Sequence, residues 1–294
     1  MLYDIRLSLH YQYGYPVAGG RHLLRVTPPT LPGIQRVIDS SLTVTPKPGE
    51  RSDTHDFFRN ATTALGFNAP HDSLELVMRA RVAVERETAA FDMSPDLDGL
   101  AAEIAAIRSL GSRSPHHFRS QTARLPFVPE IAAYAEKSRA PGRSVRATVE
   151  DLCRRIYRDF AYDPDATLVD TPIAEAFAGK RGVCQDFAHI MIAACHTLGI
   201  PAGYVSGFIR TIPPEGKERL EGADAMHAWV QAWCGREAGW VEFDPTNDMP
   251  ASDDHIIVAL GRDYRDVSPI VGVLQAGGRH STQQSVDVKP VAEG

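Results

Sequence analysis

The run Arg181-Gly182-Val183-Cys184-Gln185-Asp186-Phe187-Ala188-His189-Ile190-Met191-Ile192-Ala193-Ala194-Cys195, continuing to Leu198-Gly199-Ile200-Pro201, decides how the rest of the chain is read. Gly179 and Gly182 bracket a basic turn, a helix-compatible stretch follows, and Gly199 with Pro201 supplies the stop expected just past a helix end. Cys184 therefore falls at a helix start, where free amide groups and the helix dipole favour an anion and make a thiol easier to deprotonate. Phe187, Met191, Ala194 or Cys195 and Leu198 form one apolar stripe, and Ile190, Ile192 and Ala193 cover much of the remainder, so the helix reads as buried. Alone, Cys184 reads more readily as a small core residue, because free cysteine is among the most buried residue types.

Partners for a reactive cysteine follow downstream. Met226 to Trp233 alternates as a strand does, Cys234 to Gly239 forms a Gly-flanked turn, and Trp240-Val241-Glu242-Phe243-Asp244 alternates again before Pro245. Folding this ribbon about its loop brings His227 and Asp244 to the same open end, with His227 on the face of Trp229, Gln231 and Trp233. A base and an orienting carboxylate are thus offered together.

Gly-x-Cys-x-Asp-x-Ala at 182–188, Leu-Gly-Ile-Pro-Ala at 198–202 followed by Val205-Ser206-Gly207-Phe208, His227-Ala228-Trp229, and Trp240-x-x-Phe243-Asp244-Pro245-Thr246 together resemble the bacterial transglutaminase-like family of the papain-like cysteine enzymes. The resemblance spans residues 146–250. It implies Cys184 as nucleophile, His227 as general base and acid, and Asp244 as the residue that orients the imidazole. It also implies an α+β, papain-like catalytic core with the Cys184 helix packed on an antiparallel sheet, preceded by a β-sandwich-like domain. The reaction implied is cleavage of a peptide or amide bond through a Cys184 thioester. Hydrolysis is the leading expectation, with amide-exchanging transfer to an amine and an inactive binding protein on the same fold as alternatives. The oxyanion needs donors; the backbone amide of Cys184 is the default, with Tyr162 and Gln185 as side-chain candidates. Gly203 and Phe208 depart from the residues common in the family, arginine and tyrosine, which leaves specificity open.

The chain has 294 residues, an ordinary 43% hydrophobic and 23% charged content, and a net charge of −6 without a basic block, which argues against nucleic acid as a partner. The start is too polar for a signal peptide and no run approaches a membrane span, so the expected address is the cytoplasm, away from membranes. Cys153, Cys184, Cys195 and Cys234 lack paired spacing and read as free thiols. No metal or cofactor is expected, since no calcium-loop pattern occurs and Cys184 with His227 lacks ligand spacing. Homo-oligomerisation is left open.

Three segments are expected. Residues 1–85 form a β-rich module with strands at Tyr3–Tyr11, Gln35–Ile38, Ser41–Thr45 and Leu74–Val82, Asp53-Thr54-His55-Asp56 reading as a polar turn. Residues 86–145 form a helical and loop connector, in which His116-His117 reads as a solvated turn. Residues 146–294 form the catalytic domain, opened by a helix after Ser144. The polar stretch 210–225 is read as a loop near the cleft, with Asp224 as a loop cap. His255 is set aside because it lacks the Ala-Trp context and follows the aspartate, and Ser285–Lys289 is expected to add a last strand.

Overall fold

The computed structural model describes residues 1–86, 91–211, 224–275 and 280–291. The N-terminal module is built on one long strand, β1 (Leu2–Leu24), followed by β2 (Gln35–Thr45), β3 (Glu50–His55), β4 (Ala61–Phe67) and β5 (His71–Val84). β1 alternates strictly, with Tyr3, Ile5, Leu7 and Leu9 buried, and an irregularity between Gln12 and Val17 bends it. Its first half pairs with β5 and its second half with β4, so one strand serves both layers of a folded sheet. The stretch Asp53–His55, read as turn, instead lies in β3, a strand at the sheet edge with every residue exposed. Such a strand carries no apolar alternation, which is why its sequence looks like loop.

The connector holds α1 (Leu97–Ala106), capped by Asp96 accepting from Gly99 N–H, and α2 (Pro129–Glu136), entered through proline. Between them a short 3-10 turn at Pro115–Phe118 buries Phe118, while His116 and His117 bond the carbonyls of Ile107 and Leu110. Next come α3 (Val145–Asp159), capped by Ser144, then β6 (Ala161–Tyr162), α4 (Ile173–Gly179), β7 (Arg181–Gly182) and α5 (Cys184–Thr197). α5 is almost wholly enclosed: Phe187, Met191, Ala194, Cys195 and Leu198 join a core shared with α2, α3 and the sheet behind. Gly199 at φ +78° ends it in a left-handed turn.

The second sheet comprises β8 (Ala202–Ile209), β9 (Ala225–Trp233), β10 (Trp240–Asp244), β11 (Met249–Pro250) and β12 (His255–Gly261), in the order β11-β10-β9-β8-β12. The β9–β10 hairpin sets Trp240 opposite Trp233 and Phe243 opposite Val230, as its alternation requires. α6 (Tyr264–Val267) turns the chain back toward the first module.

The last strands do not stay with this second sheet. β13 (Ile270–Gln275) and β14 (His280–Pro290) both pair antiparallel with β1, β14 from Tyr3↔Pro290 to Tyr13↔His280. The second unit expected to run to 294 is therefore corrected: Ile270–Gln275 and His280–Pro290 are strands of the N-terminal sheet, a long-range pairing that local pattern cannot reveal. The strand expected at Ser285–Lys289 is part of β14.

β12 lies at the edge of the second sheet, and the first module covers it. The Gln35 side chain donates to Ile257 O and accepts from Ile257 N–H, both at 2.8 Å. Asn60 does the same for Leu260 at 2.8 and 2.7 Å. Two side-chain amides thus stand in for a missing neighbour strand. Phe208, Ile256 and Val258 pack into the core of the module itself. Gly203 is explained at the same time, because a Cβ there would meet Gly261 O and the Phe118 ring at 2.6 Å.

Candidate active site

Cys184 is the first residue of α5 and is half-buried. As a first-turn residue its backbone N–H has no intrahelical acceptor. The tip is held by Asp186, whose Oδ2 accepts from Val183 N–H at 2.9 Å and from the Thr167 hydroxyl at 2.6 Å. Asp186 needs room that only glycine leaves: a Cβ on Gly182 would lie 2.5 Å from that oxygen. This is the physical content of the Gly-x-Cys-x-Asp spacing.

The hairpin delivers the other two groups. His227 and Asp244 are both buried, and His227 Nε2–H donates to Asp244 Oδ2 at 2.7 Å. The other group that acts on the imidazole is Cys184, which favours its charged form. Burial pulls the His227 ring toward its neutral form, but the hydrogen bonds and charges of Asp244 and Cys184 outweigh it and push its pKa up to about 10. Burial likewise opposes ionisation of Asp244, yet donors from His227, His255 and Asn247 hold its carboxyl well below the usual range. The three residues read from sequence are thus assembled as a cysteine, an imidazolium-favouring ring and an ionised carboxylate.

His255 belongs to the same cluster, which the sequence reading missed. Its fully buried ring donates from Nε2 to Asp244 Oδ2 at 3.1 Å, and its Nδ1 accepts from Ser252 N–H at 3.1 Å. Asn247 Nδ2 adds a third donor to Oδ2 at 2.6 Å, and Thr246 N–H bonds Oδ1 at 2.9 Å. Ligand atoms of His227, Asp244 and His255 lie within 4.8 Å of one another, a spacing that a cation also accepts. Here the Ser252 N–H on Nδ1 puts the His255 proton on Nε2, aimed at the carboxylate, so the spacing is that of a hydrogen-bonded relay. Trp229 stacks on His227 and bonds Glu242 at 2.6 Å, and Glu242 pairs with Arg86, which also donates to the His255 carbonyl.

The two oxyanion candidates are placed differently. Tyr162, 59% exposed, sits on β6 opposite Gly182, and Cys184 is among the charges its hydroxyl feels. The Gln185 amide is engaged elsewhere, donating to Val169 O at 2.9 Å and fastening that loop to the helix. Asp224 caps as expected, accepting from Thr211 N–H at 2.7 Å and Val288 N–H at 2.6 Å. Most of the polar loop before it, 212–223, lies outside the described residues. Cys153, Cys195 and Cys234 are buried and unbridged, and burial pushes each thiol's pKa up. No helix among the described residues is long and apolar enough to cross a membrane.

Comparison with known proteins agrees with this geometry. The bacterial transglutaminase-like N-terminal region matches residues 3–83, and the transglutaminase-like superfamily matches 132–245. An uncharacterized protein of Mycobacterium bovis is 35% identical over 269 residues, covering 87% of this chain and 82% of its own. One from Mycobacterium leprae is 30% identical over 288 residues, covering 97% of both. A candidate cysteine protease from Cytophaga hutchinsonii shares the fold, with a TM-score of 0.76 at 21% identity over 100% of this chain and 92% of that one. With a nucleophile-bearing helix tip, a buried His–Asp pair and both halves matched, the chain belongs to the transglutaminase-like superfamily, in the branch that carries the bacterial N-terminal region.

Proposed function

We propose that this protein is a cysteine amidase or peptidase that works through a thioester on Cys184. The observation that carries the reading is the buried 2.7 Å His227–Asp244 bond with Cys184 on the other side of the ring. The thiolate attacks an amide carbonyl, and the charge appearing on its oxygen is met by the Cys184 N–H at the helix tip, with Tyr162 nearby. The His227 imidazolium gives its proton to the departing amine as the C–N bond breaks, leaving the thioester and a neutral ring. Water, deprotonated by that ring, attacks the thioester and releases a carboxylic acid and the thiol.

Water as the acceptor is favoured by an open approach. Tyr162, Leu168 and Val169, on β6 and in the loop that follows, are 59%, 75% and 55% exposed. The test is incubation with a panel of peptide amides, with and without a primary amine, read by mass. Acid products at all amine concentrations, and an acyl adduct on Cys184, support hydrolysis. A product carrying the added amine in place of acid would make the enzyme a transferase. Cys184 alkylated by iodoacetamide below pH 7 no faster than a free thiol would sink the enzymatic reading.

A further inference from the structure

A cavity of about 240 Å3 opens beside the first turns of α5, between Arg124, Arg265, the segment Asp170–Ala174, and the α5 side chains Asp186 and His189. It holds about eight times the volume a water occupies in the liquid. His189 lies roughly 8 Å along the helix from Cys184, from the rise of an α-helix.

The cavity's donors lack acceptors. His189, 5% exposed, accepts Tyr264 N–H on Nε2 at 3.2 Å, so its proton sits on Nδ1. Burial and the Arg124 cation keep the ring neutral, its pKa brought down to about 3. That Nδ1–H has no hydrogen-bond acceptor among the described residues. Among the described residues Arg124 has no ion pair or hydrogen bond through its guanidinium, and its Nε is buried without a partner. Among the same residues the Arg265 side chain pairs with no carboxylate. The two acids in the wall do not answer them. Asp186 is engaged by Val183 and Thr167, and Asp170 stands exposed at the rim without pairing either arginine. Unpaired buried donors are costly, and a planar guanidinium beside a neutral N–H donor is the arrangement that receives a carboxylate.

We infer that this cavity is a carboxylate-binding subsite in which Arg124 and His189 receive the two oxygens and Arg265 closes the rim. Resting on the acyl chemistry proposed above, the substrate is an amide that also carries a free carboxylate. Tyr204 is buried, its ring packed against those of His189 and Tyr264, and it feels the charges of both Cys184 and Arg124.

The site is tested first without turnover. Wild-type protein is titrated with glutarate and with its neutral counterpart glutaramide to about 50 mM, a range set by millimolar single-group affinity. The His189 Nδ1–H and Arg124 Nε–H resonances report occupancy. Saturable shifts with glutarate alone, absent in Arg124→Gln, are expected. No shift, or equal shifts with glutaramide, overturns the subsite. For an amide that is turned over, Arg124→Gln should raise KM about 10-fold or more for the donor with a free carboxylate, with kcat held and the amidated donor unaffected. Equal effects on both donors overturn its place in substrate recognition. Glutarate binding in a protein that cleaves no amide would keep the subsite and remove the acyl reading instead.

Discussion

His227 and His255 end on the same oxygen of the same carboxylate, Asp244 Oδ2, at 2.7 and 3.1 Å, and their rings lie 6.1 Å apart. What separates them is the far nitrogen. In His227 it faces the thiol of the nucleophile; in His255 it accepts from the Ser252 backbone N–H at 3.1 Å, with the Ser252 hydroxyl at 3.3 Å. One ring therefore faces the reacting group and the other a structural turn. The difference teaches that proximity to the carboxylate does not make a histidine catalytic. The partner on its other side does.

The largest test breaks the side that faces the nucleophile. His227→Ala should cut turnover by about 10^3-fold, within the range of general acid–base catalysis, and abolish fast iodoacetamide labelling of Cys184 below pH 7. Labelling that persists in the variant would detach the thiol's reactivity from the ring. The other three cysteines are internal controls, being buried.

Removing the shared carboxylate should come next. Asp244→Asn would turn an amide N–H toward groups that are themselves donors, so turnover should fall about 10^2- to 10^3-fold. Stability carries a signature in pH. Asp244 is depressed, so its contribution is complete above about pH 4 and is lost as pH falls. His227 is raised to about 10, so its contribution is complete below about pH 6.5, the ordinary value, and is lost as pH rises toward 10. Urea unfolding of wild type and variant should therefore differ most between about pH 4 and 6.5 and converge at either side. A gap independent of pH would show that packing, not charge, links the pair.

The side that faces the turn should matter less. His255→Leu removes one of three donors on Oδ2 while leaving Asn247 and His227, so labelling of Cys184 at pH 6 should slow about tenfold. His255→Gln, whose amide nitrogen reaches a similar place, should recover most of it. Equal losses in both variants would assign His255 to shape alone.

How much of this was legible in the chain varies with distance. α5, the β9–β10 hairpin and their three chemical groups follow from local signals: a glycine stop, alternation, and a Gly-flanked turn. Asp186 was legible too, as an acid three residues after Val183, the place where a side chain reaches back to the helix entry. His255 was not, because its role depends on the start of β12 meeting Asp244 in space and on a turn at Ser252 that presents an N–H. The return of β13 and β14 to β1 and the Gln35 and Asn60 clamps bridge separations of about 200 residues or more. Nothing local to either partner marks them. β3 was misread for the opposite reason, since an exposed edge strand has no apolar face to show.

The smallest expected effect concerns Tyr162, and it sharpens the same contrast between an enclosed donor and an open one. The two histidine donors on Asp244 are buried, whereas the Tyr162 ring is 59% exposed and water can reach the place its hydroxyl would serve. A preorganised oxyanion donor in a dry site is worth about 10^2- to 10^3-fold in kcat. A hydroxyl that water can replace should be worth much less, so Tyr162→Phe should lower kcat by less than about tenfold and leave KM unchanged. Paired kcat and KM values on one peptide amide decide it. A loss near 10^2-fold or beyond would mean that substrate closes over Tyr162 and dries it, making its hydroxyl, rather than the α5 tip alone, the principal support of the oxyanion.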